Sequence, residues 1–259
     1  MGSSTISLGL GLGGGKSATS SGGSPGGGSF VNQYSLNFDG SDEYMSIGNN
    51  VVFNNAAAFS FSAWVKLDAF TNSYPALLTF KTDQSQAYMV GFSRAAGYNG
   101  VFLGSPADTA RLTTNSTAVA DDLLTGWKHI CITYSGADRT VESNYKLYID
   151  STSKTLVTSG GFGGIQNDNY IGRSSAGYYI DGLIDELATF GSELSASQVS
   201  AIYNSGVPAD LSSTTGWWRM GDGGSWDGTN WTIPDASGNG NDGTTVNMEE
   251  ASRVTTVPT

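Results

Sequence analysis

From Gln33 onward the chain is a succession of short segments in which apolar and polar residues alternate, each closed by a cluster of Gly, Asn, Asp or Ser. A period of two sends successive side chains to opposite faces of a strand, and frequent turn residues fold such strands back on one another. The pattern therefore predicts an antiparallel all-β sandwich or barrel. The expected strands are Tyr34–Phe38, Tyr44–Ile47, Phe59–Leu67, Ala76–Lys81, Ala87–Ser93, Gly100–Leu103, Trp127–Tyr134, Tyr145–Ile149, Asn169–Gly172 and Gly182–Phe190. In the third of these, Phe59, Phe61, Ala63, Val65 and Leu67 make one core face. Trp64 sits on the otherwise polar face and is expected to be covered by a loop, the alternative being that it lines a groove. One short helix is predicted: Ser195–Gln198 fits a capping box, Val199, Ile202 and Tyr203 recur at i, i+3 and i+4, and Gly206 with Pro208 supplies the stop.

The loops are made by glycine, 36 of 259 residues, about twice the ordinary share. Residues 1–29 hold 11 Gly and 8 Ser, a composition that cannot bury enough apolar surface to order itself. This Gly/Ser-rich N-terminal arm is either a docking arm, with the alternating stretch Ile6–Leu12 adding a strand to a neighbour's sheet edge, or a tag-like linker. Residues 30–259 are read as one sandwich domain, with core motifs in 33–205 and a Trp-, Asn- and Gly-rich tail over 206–259 packed on the same domain. Lys+Arg 12 against Asp+Glu 23 gives a net charge of −11, which repels nucleic acid and anionic membranes and leaves divalent cations as compatible partners. With no run of 18 apolar residues, no membrane insertion is expected, and without a basic and apolar leader no ordinary export is expected either. A lone Cys131 makes no internal disulfide.

Four stretches stand in an order that carries more information: Leu36-Asn37-Phe38-Asp39-Gly40-Ser41-Asp42-Glu43-Tyr44, Phe61-Ser62-Ala63-Trp64-Val65-Lys66, Gly126-Trp127-Lys128-His129-Ile130, and Asp181-Gly182-Leu183-Ile184-Asp185-Glu186-Leu187 with Leu194-Ser195 after it. Over about residues 33–205 the chain resembles the laminin-G-like branch of the concanavalin A-like lectin/glucanase superfamily. The resemblance implies a jelly-roll β-sandwich of two antiparallel sheets. The tail, Trp217-Trp218-Arg219-Met220 and then Asp235 to Gly243, is similar to a family element that in most relatives precedes the first strand, as if this chain were permuted.

The same family includes glycoside hydrolases, which need two carboxylates flanking the sugar bond. No E-x-D-x-E or E-x-D-x-x-E pattern occurs, and Asp185 and Glu186, being adjacent on a strand, are expected on opposite faces. His129, the single histidine, falls mid-strand with no G-x-S-x-G elbow and reads as a packed strand residue. The chain is expected not to be an enzyme. The resemblance implies a structural calcium held by Asp185 and the carbonyl of Gly40, with Asp39 nearby; the alternative is a simple turn at Asp39-Gly40 and a hydrogen-bonded Asp185. Asp235-x-Ser237-x-Asn239-Gly240 copies half of a calcium loop, but Val246 stands where a bidentate Glu belongs, so a tight turn is expected. Tyr74, Tyr88, Phe92, Tyr98, Phe102, Tyr178, Tyr179, Trp226 and Trp231 are candidate sugar platforms. Of these, Trp226, Trp231, Tyr178 and Tyr179 are the carbohydrate-binding candidates, the two tryptophans being read as loop-borne and exposed. Of the adjacent Trp217 and Trp218, one should face inward and one outward.

The glycine-rich opening and the W-W-R-M-G-D…D-A-S-G-N-G-N-D-G tail resemble marine phage structural proteins. That resemblance implies a virion structural and adhesion protein at the particle surface. It would be held to other virion proteins through residues 1–29, oligomeric in the assembly, and turned toward host cell-surface glycans. Assembly in the cytoplasm and release by lysis would reconcile an outward-facing sandwich with the missing export signal. The alternatives are an exported bacterial glycan-binding lectin, extracellular or on the cell surface, and third a glycoside hydrolase.

Overall fold

The computed structural model describes residues 30–47, 57–81, 87–104, 111–138, 141–159, 169–174, 177–211 and 213–259, and the docking arm read at 1–29 lies outside them. The alternating segments fold as β1 (Ser35–Asp39), β2 (Tyr44–Ser46), β3 (Phe59–Ala69), β4 (Ala76–Lys81), β5 (Ala87–Ser93), β6 (Gly100–Gly104) and β7 (Arg111–Thr113). A helix α1 (Thr117–Asp122) precedes β8 (Lys128–Tyr134), β9 (Tyr145–Ile149), β10 (Thr152–Lys154), β11 (Val157–Ser159), β12 (Tyr170–Ile171) and β13 (Asp181–Phe190). After the helix α2 (Ala196–Tyr203), the tail adds β14 (Gly216–Trp218), β15 (Ser225–Trp226), β16 (Trp231–Ile233), β17 (Gly243–Val246) and β18 (Arg253–Val254).

These strands form the two antiparallel sheets predicted. One sheet runs β10-β9-β8-β3-β13-β1-β18 with β14 beside β13; the other runs β11-β7-β6-β5-β4-β12-β2-β17-β16-β15. The inward side chains of β3 meet the second sheet directly, Phe61 lying 6.3 Å from Phe80 and Phe59 4.8 Å from Tyr88. Each such buried aromatic contributes roughly 1.5–3 kcal/mol relative to exposure. Tyr88 and Phe92, two of the candidate sugar platforms, belong to this core.

The tail supplies strands to both sheets: β14 pairs with β13, β17 with β2, and β18 with β1. Trp218 is fully buried in the core, while Trp217 turns to the opposite face and is covered there too. The predicted helix α2 starts at the capping box of Ser195 and Gln198 and ends at Asn204, whose left-handed φ of 47° closes it. It lies over the outer face of the first sheet, where Tyr203 stacks on Trp64 at 5.7 Å and 24°. Trp64 is thus covered, but by a helix and not by the loop expected. The helix α1 was not predicted; its only sequence mark is Ser116, whose Oγ accepts from the Val119 N–H at 3.3 Å.

Candidate functional site

The outer face of the ten-stranded sheet carries an aromatic band, and the period of two explains how it arises. Met45 of β2 and Ile171 of β12 are fully buried, so Tyr44, Ser46 and Tyr170 turn outward; the register places Tyr170 opposite Ser46. Alternation would then send Arg173 inward with Ile171. Gly172 prevents that, because its φ of +84° reverses the chain and a Cβ there would sit 2.5 Å from the Phe38 ring in the core. Arg173 emerges among three tyrosines, its guanidinium carbon 4.8 Å from the Tyr44 ring, 5.0 Å from Tyr170 and 5.6 Å from Tyr179.

A hairpin holds this arrangement. The Ile180 N–H donates to the Gly172 carbonyl at 3.0 Å and the Tyr178 N–H to Ser174 Oγ at 3.1 Å. Thr79 Oγ1 donates to the Arg173 carbonyl at 3.1 Å, and Asn72 Nδ2 to the Tyr179 carbonyl at 3.0 Å. Tyr178 continues the band, edge-on to Tyr74 at 5.9 Å; Tyr74 in turn meets Tyr98 at 6.0 Å and Phe102 at 6.1 Å. The predicted pair Tyr178 and Tyr179 therefore bridges two aromatic groups. Tyr44, Tyr170 and Arg173 were not among the candidates, although alternation against Met45 already assigns Tyr44 to the outer face.

The two candidate tryptophans lie elsewhere, on β15 and β16 toward the sheet's far edge. Contrary to the exposed, loop-borne reading, Trp231 is 3% exposed in the core, and its Nε1 donates to the Glu249 carbonyl at 3.1 Å. The Arg253 guanidinium, 4.4 Å from its ring, closes it over, and Trp226 packs half-buried 5.6 Å away. Strand pairing of β15 with β16 makes both part of the sheet.

The calcium ligands proposed by resemblance do not meet. Antiparallel register places Asp39 opposite Asp181, and Asp185 stands four residues further along β13, about 13 Å away, whereas one ion holds its ligands at roughly 2.3–2.6 Å. The Gly40 carbonyl accepts from Asn72 Nδ2 at 2.8 Å, and Asp39 Oδ1 caps its own turn by accepting from the Ser41 N–H at 2.8 Å. Among the described residues no group of three or more His, Cys, Asp or Glu is arranged to hold a metal ion. The Asp235 segment is a turn: its carboxylate accepts the Trp217, Ser237 and Asn241 N–H groups at 3.0–3.1 Å. Burial works against that charge, but these donors outweigh it and hold the carboxyl below the usual range.

Asp185 and Glu186 also depart from expectation. The register of β13 against β3 shifts after Asp185, and Glu186 takes a φ of 46°. Such a bulge breaks alternation, and both carboxylates turn to the outer face of the first sheet. Asp185 accepts from Asn32 Nδ2 at 2.7 Å; Glu186 accepts from Trp217 Nε1 at 2.6 Å and Arg219 Nε at 3.0 Å. Burial and the neighbouring Glu186 push Asp185 well above the carboxylate range. Burial pushes Glu186 to about 7 against the pull of Arg219. Being 0% and 2% exposed, the pair offers no surface to a substrate. His129, fully buried against Trp64 at 5.2 Å, is pushed down to about 3 by burial.

A candidate carbohydrate-binding protein from Bacteroides ovatus ATCC 8483 is 18% identical, with a TM-score of 0.60 over 88% of this chain and 62% of its own. This chain thus spans less than two thirds of that protein's length. The full extracellular region of zebrafish Gpr126/Adgrg6 is 14% identical, with a TM-score of 0.50 over 84% of this chain and 26% of that one. A heptameric SAP-like pentraxin from Limulus polyphemus is 14% identical, with a TM-score of 0.44 over 68% and 84%. No curated protein matches the sequence. The family described as the concanavalin A-like lectin/glucanases superfamily, in its laminin-G branch, matches residues 39–200, more than half of the chain, and with the two-sheet sandwich those residues build, the protein belongs to that family.

Proposed function

We propose that this protein is a non-catalytic glycan-binding module whose ligand face is the aromatic band of the ten-stranded sheet. The observation that carries the reading is the convergence of Tyr44, Tyr170, Tyr178 and Tyr179, all half-buried, on one outer face. Aromatic rings left partly open above a rigid sheet offer flat apolar surface to the C–H faces of sugar rings, and phenolic groups can bond hydroxyls. The non-catalytic reading is supported by the burial of Asp185 and Glu186, the close carboxylate pair on β13, under Asn32 and Trp217.

The setting we infer is the surface of a virus particle, with residues 1–29 joining the module to other virion proteins and the sheet face turned to host glycans. Its support is the glycine- and serine-rich composition of the arm and the resemblance to phage structural proteins. Isothermal titration of glycan-array hits tests the binding face: Tyr179→Ala should weaken binding about five- to tenfold, equivalent to about 1–1.4 kcal/mol, with the melting temperature unchanged. Undiminished affinity in that variant would remove the band as the ligand face. Immunogold labelling tests the setting, and gold on cells but never on particles would overturn it. Deleting residues 1–29 should abolish incorporation while leaving the sandwich folded.

A further inference from the structure

Two arginines of this acidic chain, Arg173 and Arg253, are held by aromatic rings with no ion pair among the described residues, and of the two Arg173 alone has a buried N–H without an acceptor. Lys66, Arg94, Lys128, Lys146 and Arg219 each pair with a carboxylate. Arg173 has no ion pair among the described residues; its neighbours are the rings of Tyr44, Tyr170 and Tyr179, and its Nε–H is buried without an acceptor. With 23 acidic residues against 12 basic ones, leaving a half-buried guanidinium among tyrosines is a costly placement for stability alone. Rings hold a guanidinium by its π faces, which leaves the in-plane N–H donors as its unpaired part. Those donors form a planar fork that matches two oxygens of a carboxylate or a sulfate.

We propose that Arg173 is the specificity-determining residue of the aromatic face and selects an anionic sugar residue, one bearing a carboxylate or a sulfate ester. This rests on the glycan-binding reading above. The sugar ring would lie on Tyr179 and Tyr44 while its anionic group meets the guanidinium edge. The Thr79 hydroxyl on the Arg173 carbonyl and the hairpin closed from Gly172 to Ile180 hold the main chain at Arg173, and the three rings hold its guanidinium.

Titration calorimetry with matched ligands provides the test. An oligogalacturonate is compared with its methyl ester, and a sulfated galactan oligosaccharide with its desulfated form, against wild type, Arg173→Gln and Arg173→Lys. Wild type should bind at least one anionic member tenfold or more tighter than its neutral counterpart, and which pair responds identifies carboxylate or sulfate. Arg173→Gln should erase that preference, bringing the ratio of anionic to neutral affinity to about one, and Arg173→Lys should restore only part of it. Equal wild-type affinity for charged and neutral members would overturn the inference and leave the glycan reading standing. Equal weakening of both by Arg173→Gln would likewise reduce Arg173 to packing. Binding of no glycan at all would overturn both readings together.

Discussion

Neighbouring carboxylates on β13 show how one residue's partners decide its charge. Glu186 has Arg219 and the Trp217 indole, whereas Asp185 has Asn32 and a single backbone N–H. The pair therefore keeps its proton on Asp185. Asp185→Asn should change stability by less than about 1 kcal/mol, because the amide preserves shape and a carbonyl acceptor without a buried charge. Glu186→Gln should lower it more, by about 1–2 kcal/mol, since Arg219 keeps Asp222 at 3.1 Å but loses its buried partner. Urea unfolding of both variants checks this, and equal losses would refute the assignment. That asymmetry was illegible in the sequence, where strict alternation separated the two; a bulge is a backbone event that Asp-Glu does not advertise.

At the scale of elements, what alternation could predict, it did: the ten strands expected from Tyr34 to Phe190 all form. Among the shortest strands β2 and β12 were legible, but β15 and β18, of two residues each, escaped because so few positions carry no measurable period. The aromatic face was half legible. Tyr178 and Tyr179 stand out by composition, but Arg173 reaches Tyr179 only through the reversed backbone of Gly172. Gly172→Ala should therefore cost about 2–3 kcal/mol, combining left-handed strain with a clash against Phe38. For a domain of this size that is roughly 2–4 °C per kcal/mol by calorimetry. An unchanged melting temperature would show that the turn tolerates a side chain. Trp231 misled for the opposite reason, since flanking Gly, Asp and Asn suggest a loop while Arg253 and the core close over it.

For the whole molecule, buried acids set the pH of greatest stability. Glu43, at one end of β2, is raised to about 7 by burial and by Asp39, as Glu186 is by burial; Asp185 and Asp181 are raised too. For Glu43 and Glu186 this contributes stability that is complete below the unfolded value of 4.5 and is lost as pH rises through 7, and Asp185 acts in the same direction. His129, lowered to about 3, works the other way, its contribution present above 6.5 and lost on acidification. Each group fully inside its window changes stability by at most about 1.4 kcal/mol per pH unit, so between pH 7 and 4.5 the two glutamates outweigh one histidine. Below that the acids stop gaining, while His129 and the lowered Asp235 continue to lose. Thermal melts should peak near pH 5, and a maximum above pH 7 would contradict the assignment. The closure of the first sheet has a consequence in time. Ser35 in β1 donates to the Thr256 carbonyl beside β18, 221 residues later, and ribosomes add about 5–20 residues each second. For roughly 10–40 s after its own synthesis β1 therefore waits for its partner on that side, and the edge stays open until translation delivers Arg253 and Val254.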